Sequence, residues 1–236
     1  MSSLRHSGFV RVTHWLTTLA FLALLVTGVE ILISHPRFYW GETGNVNEQP
    51  ILTLPIPSSR STIPNGFSYT LPDQNGWSRY LHFEAAWLAV ITGVSYAIYG
   101  FSKGHFRRNV APAPADLAPR TFAHELARHA RFWRAGEHEA SSYNVLQRLA
   151  YSVVIFGLFP LIIWTGLDMS PAFTSVFPGA VTVLGGRQAA RTLHFAVTIL
   201  LVLFLAIHLV MVYFAGFRER VGAMITGRLS KIEEAA

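Results

Sequence analysis

Four long apolar stretches, at about 9–33, 80–101, 148–168 and 193–215, leave this chain few folds to choose from. Each is long enough to cross a hydrocarbon core, which takes about 20 mostly apolar residues in a helix. Helices suit that setting because every backbone polar group must be satisfied inside the segment where no water reaches it. The expectation is an all-α integral membrane four-helix bundle, a single domain over 1–236, with an outer loop at 34–79 and an inner loop at 102–147. The first stretch follows Arg5 and Arg11 and invites comparison with a signal peptide. Its apolar run is longer than a usual signal core and no small-residue cleavage site is clear, so it is read as a retained helix.

Composition narrows the chemistry. Hydrophobic residues make up 51% of the chain and charged ones 14%, too apolar a balance for an ordinary soluble domain. The absence of cysteine rules out disulfides, thiolate-bound zinc or iron–sulfur clusters, covalent c-type haem attachment and a nucleophilic thiol. Redox chemistry must then rest on histidine.

The net charge of +6 raises nucleic acid as a partner, but its distribution points elsewhere. Of 19 Lys and Arg, 14 fall before the first stretch, between or at the edges of the second and third, or after the fourth; only Arg37, Arg60, Arg79, Arg187 and Arg191 fall in the other segments. Positive residues collect on the cytoplasmic side, so both termini are expected there, with lipid rather than nucleic acid as the partner.

The outer loop carries Pro36, Pro50, Pro55, Pro57, Pro64 and Pro72 and is expected to be irregular, a cap or a docking surface. The inner loop mixes Phe122, Leu126, Phe132 and Trp133 with Arg128, Arg131 and Arg134. That pattern suits either a helix lying on the anionic inner leaflet or a solvated charged helix.

Six of the ten histidines, His6, His35, His105, His124, His129 and His138, fall in loops or tails and need no special account. His14, His82, His194 and His208 fall in the spans, where an ionisable group is costly and marks a functional site. His194 and His208 are 14 residues apart, which puts them within about 40° of one helix face and ~21 Å apart along the axis. One helix thus offers a ligand near each membrane surface. By level, His208 matches His14 on the inner side and His194 matches His82 on the outer side. Imidazole pairs on facing helices suit a low-spin b-type haem, since two axial nitrogens leave no open position for oxygen. Zinc would need further ligands that neither pair supplies. The bland alternative is that intramembrane histidines hydrogen-bond across the helices.

Arg11, Arg79 and Arg191 each precede one of these histidines by three residues, on nearly the same face and one turn nearer water. There they suit haem propionates, Arg11 for the inner group and Arg79 and Arg191 for the outer, or simply snorkel to headgroups. Gly28 follows His14 by 14 residues and Gly93 follows His82 by 11, each falling where the other haem would pass; glycine is also common at ordinary membrane helix contacts. The third stretch has no histidine, and its Gly157, Pro160 and Gly166 predict a kinked packing helix.

Histidines in the first, second and fourth spans, with the 14-residue pair in the fourth, resemble the bacterial cytochrome b561 and nickel-hydrogenase cytochrome b superfamily, which includes formate dehydrogenase gamma subunits. The segment His35-Pro36-Arg37-Phe38-Tyr39-Trp40-Gly41 resembles a subgroup of thiosulfate-reductase-like cytochrome b subunits. The resemblance implies two haem b groups in the bacterial inner membrane, quinone as substrate, and a periplasmic redox partner, often a molybdopterin enzyme. It implies a quinone site beside the inner haem, for which Arg11, Asn144 and Gln147 are candidates by position; Asn144 equally suits a helix cap. Two other functions stay open: a stand-alone superoxide:quinone oxidoreductase with Arg79, Arg187 and Arg191 at its entrance, and a proton-coupled transporter using the histidines as relays.

Overall fold

The computed structural model describes residues 7–45, 47–60, 66–72, 75–112, 120 and 145–227. Asn144 and the basic, apolar segment around 122–134 lie outside them. The long elements are α1 (Gly8–Ser34), α2 (Asn75–Ser102), a third helix made of α3 (Val145–Val153) and α4 (Phe159–Asp168), and α7 (Arg187–Phe214). Among the described residues these are four helices long and apolar enough to cross a membrane. Much of their apolar surface stays uncovered, Leu19 at 62% and Ile98 at 64% exposure, which water would penalise and lipid accepts. The protein is a mostly helical, multi-pass membrane protein.

The helices outrun the hydropathy signal. α2 begins at Asn75 rather than near 80, and α7 at Arg187 rather than near 193, so Arg79 and Arg191 sit well inside helices. Their first turns are polar and add nothing to an apolar count, although their backbone is helical. At Gly157 and Pro160, where the sequence predicts a kink, the third helix widens into a π-helical turn (Val154–Leu158) between α3 and α4. Pro160 donates no N–H and its ring crowds the carbonyl four residues back, which the wider turn accommodates.

Packing gathers the chain into two compact units, Met1–Trp15 with Thr92–Phe159 and Leu201–Ala236, and Leu16–Ile91 with Pro160–Leu200. In the first, Phe106 opens a π-helical turn (Phe106–Val110) and lies buried among Tyr96, Phe101 and Phe156. Gly100 makes room for it: a Cβ there would come within 2.3 Å of the Phe106 ring. A short helix, α8 (Phe217–Thr226), ends at Gly227 in a left-handed conformation, and its last carbonyls are taken by α1. Arg11 donates to the Ile225 carbonyl at 2.6 Å and the Trp15 indole to the Met224 carbonyl at 3.1 Å. A cation at the negative end of a helix is favoured, and orphan carbonyls gain donors.

The second unit holds the outer loop, whose described residues are irregular, as its prolines predict, apart from one short strand pair. β1 (Arg37–Phe38) pairs antiparallel with β2 (Leu52–Thr53), Arg37 opposite Thr53 and Phe38 opposite Leu52. The Ser34 and Ser59 hydroxyls meet at 2.7 Å, and Ser59 N–H donates to the Ile33 carbonyl, tying the loop to the end of α1. Two helical turns, α5 (Pro171–Val176) and α6 (Pro178–Val183), each open on a proline, whose missing N–H costs nothing there.

Segment 37–42 is fastened to the start of α7. The Gly41 carbonyl accepts from Gln188 N–H at 2.9 Å and Ala189 N–H at 3.2 Å, two of the donors that a helix start leaves unpaired. Thr192 donates to the Tyr39 carbonyl at 2.7 Å, Arg191 to the Arg37 carbonyl, and Arg187 pairs with Glu42 at 3.4 Å. Gly186, at φ +110°, allows this approach, since a Cβ there would lie 2.4 Å from the Gly41 carbonyl carbon.

Candidate functional site

The structure brings the four span histidines together as two pairs. The ring centres of His14 and His208 are 6.5 Å apart, with planes at 51°. Those of His82 and His194 are 6.4 Å apart, at 60°. Two metal–nitrogen bonds of about 2.1 Å, plus about 1.1 Å from each nitrogen to its ring centre, span ~6.4 Å. A direct hydrogen bond of about 2.9 Å between imidazoles would span only ~5.1 Å. Both separations leave room for a metal ion between two imidazoles and are wider than a direct hydrogen bond between the rings, while the cross-helix bonds equally expected of intramembrane histidines are present at the second pair.

The second pair is held by two hydroxyls. Thr27 Oγ1 lies 2.9 Å from His82 Nδ1 and Thr165 Oγ1 lies 3.0 Å from His194 Nδ1. Both threonines are completely buried. Each hydroxyl is also within reach of a carbonyl one helical turn earlier, Thr27 with Ala23 at 2.7 Å and Thr165 with Leu161 at 2.9 Å. The glycine after each threonine lies against the same ring. A Cβ on Gly28 would stand 3.7 Å from His82 Cε1, and one on Gly166 would stand 3.4 Å from His194 Cε1. Gly28 therefore borders the imidazole that it accompanies, Gly166 does the same across from it, and a Cβ on Gly93 would meet nothing within 4 Å.

The first pair is framed by rings. Phe204 stacks on His208 at 5.9 Å and 21°, Tyr151 stands edge-on to it at 6.5 Å, and Trp15 stands edge-on to His14 at 5.2 Å.

Cations surround both sites. Arg191 is half-buried, with its guanidinium 5.2 Å over the Phe38 ring, and Phe38 stacks on Phe195 at 4.4 Å, next in sequence to His194. Arg191 Nε is buried without an acceptor, and so is Arg11 Nε beside the first pair. Buried donors of that kind are expected to have partners. Arg79 is exposed and lines a surface groove with Gly76, Tyr80 and Phe83. His35, passed over in the sequence as a loop residue, sits half-buried within the electrostatic reach of Arg60, Arg191 and Arg79. Burial first, then the charge of Arg60 and those of Arg191 and Arg79, push His35 below its usual 6.5, against the raising effect of its bond to the Ile31 carbonyl. Arg60, Arg191 and Arg79, all acting on His35, make this end of the second unit cationic and favourable to an anionic group. Gln147 lies in the first turn of α3.

His105, also passed over, faces the Tyr96 hydroxyl at 3.2 Å across Nε2, and burial, then Arg108, push it below 6.5. Thr27 and Thr165 are the residues that sequence reasoning missed most plainly. The available signal was the dipeptide Thr-Gly, which occurs within the apolar stretches as Thr27-Gly28, Thr92-Gly93 and Thr165-Gly166, and outside them as Thr43-Gly44 and Thr226-Gly227.

Comparison with known proteins gives the family of the chain. The profile described as prokaryotic cytochrome b561 matches residues 5–227. A curated relative from Azospira oryzae, named putative protein-methionine-sulfoxide reductase subunit YedZ1, is 28% identical over 212 residues, covering 88% of this chain and 89% of its own. No solved structure matches at a significant level.

Proposed function

Since the chain belongs to the prokaryotic cytochrome b561 family, which binds haem b, we propose that it is the di-haem membrane subunit of an oxidoreductase, carrying electrons between the quinone pool and a redox partner outside the bacterial inner membrane. The observation that carries this reading is the matched separation of the two imidazole pairs, 6.5 Å and 6.4 Å. His14 and His208 are the ligands of the inner haem, His82 and His194 those of the outer one, with inner and outer set by the distribution of Lys and Arg. Bound haem supplies a one-electron carrier at each pair, and the axial imidazoles close it to oxygen.

The residues of the chain do the rest. Arg191 and Arg79 neutralise outer propionates and Arg11 an inner one, and the orphaned Nε atoms of Arg191 and Arg11 support that assignment. Quinone is placed beside the inner pair, with Arg11 and Gln147 as its polar contacts. Trp40, 56% exposed on the segment fastened to α7, is the contact point for the outer partner. The name of the Azospira oryzae relative, a subunit of a methionine-sulfoxide reductase, suggests a partner oxidoreductase of that kind.

A dithionite-reduced minus oxidised spectrum of the purified protein, with haem quantification, tests the reading. Two b-type haems per chain are expected, and a colourless protein would end it in favour of a transporter. The exposed groove at Arg79 favours one further reading, an anion entrance for superoxide. Rapid haem reduction by superoxide in the absence of any partner would select it.

A further inference from the structure

We propose that Thr27 and Thr165 are positioning residues that lock His82 and His194 in the Nδ1–H tautomer and hold the outer haem at a lower potential than it would otherwise have. The inference rests on the reading of His82 and His194 as haem ligands.

The donor account leads to it. Each threonine hydroxyl has one proton and two lone pairs. In Thr27 the proton goes to the Ala23 carbonyl at 2.7 Å, and in Thr165 to the Leu161 carbonyl at 2.9 Å, the bond that buried helical threonines make. What each oxygen has left for the imidazole is a lone pair. His82 Nδ1 and His194 Nδ1 therefore carry the protons and donate to Thr27 and Thr165 at 2.9 Å and 3.0 Å. The Nε2 atoms of both rings keep their lone pairs for the iron.

An imidazole whose outer N–H is engaged is a stronger electron donor to its metal, and stronger donation favours the more positively charged oxidised state. With both threonines completely buried, no water competes for these bonds. The adjoining glycines let the helices approach the ring edges, 3.7 Å from a Cβ on Gly28 and 3.4 Å from one on Gly166. At the first pair, rings of Phe204 and Tyr151 pack against His208 and the Trp15 ring against His14.

The test is redox titration of the detergent-solubilised full chain, with electron paramagnetic resonance of the ferric haems. In T27V and T165V the side-chain shape is kept and the hydroxyl acceptor removed, His194 retaining the Ile162 carbonyl as a backbone partner. Each is expected to shift the ferric/ferrous equilibrium of the outer haem three- to tenfold toward reduction, tenfold being about 59 mV for one electron, and to leave the inner haem in place. T27S and T165S restore the hydroxyl and should restore the parent potential. An outer haem that titrates unchanged in both valine variants would overturn the proposal. So would equal haem loss in the valine and serine variants, which would make the threonines mere packing residues. If the parent chain shows no haem bound through His82 and His194, the failure lies with the reading of the ligands and not with the threonines.

Discussion

The two histidine pairs share a separation and differ in nearly everything around it. His82 and His194 are gripped atom by atom: a buried hydroxyl at each Nδ1, a glycine against each ring, and a loop fastened to the helix that carries His194. His14 and His208 sit among the rings of Trp15, Tyr151 and Phe204, while Arg11 and Trp15 seat α8 on α1. Directional bonds define a tautomer and a ring orientation, whereas ring packing restricts position without choosing a proton. The difference teaches that equal spacing need not mean equal surroundings: directional polar bonds hold one pair and packed rings frame the other.

Removing ligands should break the comparison most completely. His194→Ala is expected to lower haem content from two per chain to one, with the surviving spectrum that of the inner group, and His208→Ala to do the reverse. Haem extraction with low-temperature absorption spectra checks it. If both substitutions removed the same haem, the pairing proposed here would be wrong.

Backbone approach comes next. Gly186→Ala puts a Cβ 2.4 Å from the Gly41 carbonyl carbon at a positive φ, and should cost about 2–4 kcal/mol while perturbing the outer haem. Gly100→Ala puts a Cβ 2.3 Å from the Phe106 ring, where a side chain has some room to turn; about 1–3 kcal/mol is expected, felt at the inner haem. Thermal melts followed at each haem's absorption would show the two effects separately. Crossed effects would mean that the two units do not respond independently.

The smallest effect is acidity. His35 and His105 both have folded pKa values below the usual 6.5, so each is held neutral by the fold and binds protons more readily when unfolded. Stability from both is complete above 6.5 and falls as pH drops through that value toward the folded pKa. Melting at pH 7.5 against pH 5.5 should show the loss, with His35→Gln reducing it in the unit of the outer pair and His105→Gln in the other. An unchanged pH dependence in both variants would remove the histidines as its cause.

Much of the molecule could be read from the chain. The four spans follow from apolar length, and the cost of a histidine in lipid singled out His14, His82, His194 and His208, which the fold then brought together in the expected pairs. The outer loop was not legible in the same way. Its order comes from backbone groups, the Gly41, Tyr39, Arg37 and Ile33 carbonyls, which every residue type carries and no side-chain pattern announces. Thr27 and Thr165 escaped for a related reason. A buried threonine in a membrane helix ordinarily bonds its own backbone, and the dipeptide Thr-Gly, at residues 27, 92 and 165 within the apolar stretches and at 43 and 226 outside them, does not say which hydroxyl has an imidazole above it.

Periodicity and transfer cost are local quantities, summed along the chain, and they suffice to choose the four apolar helices and to single out the four histidines they carry. The partner of a hydroxyl lone pair depends on a few tenths of an ångström between residues 55 and 29 positions apart, as in Thr27 with His82 and Thr165 with His194. That register arises only when the helices pack, and it distinguishes two otherwise matching pairs of histidines.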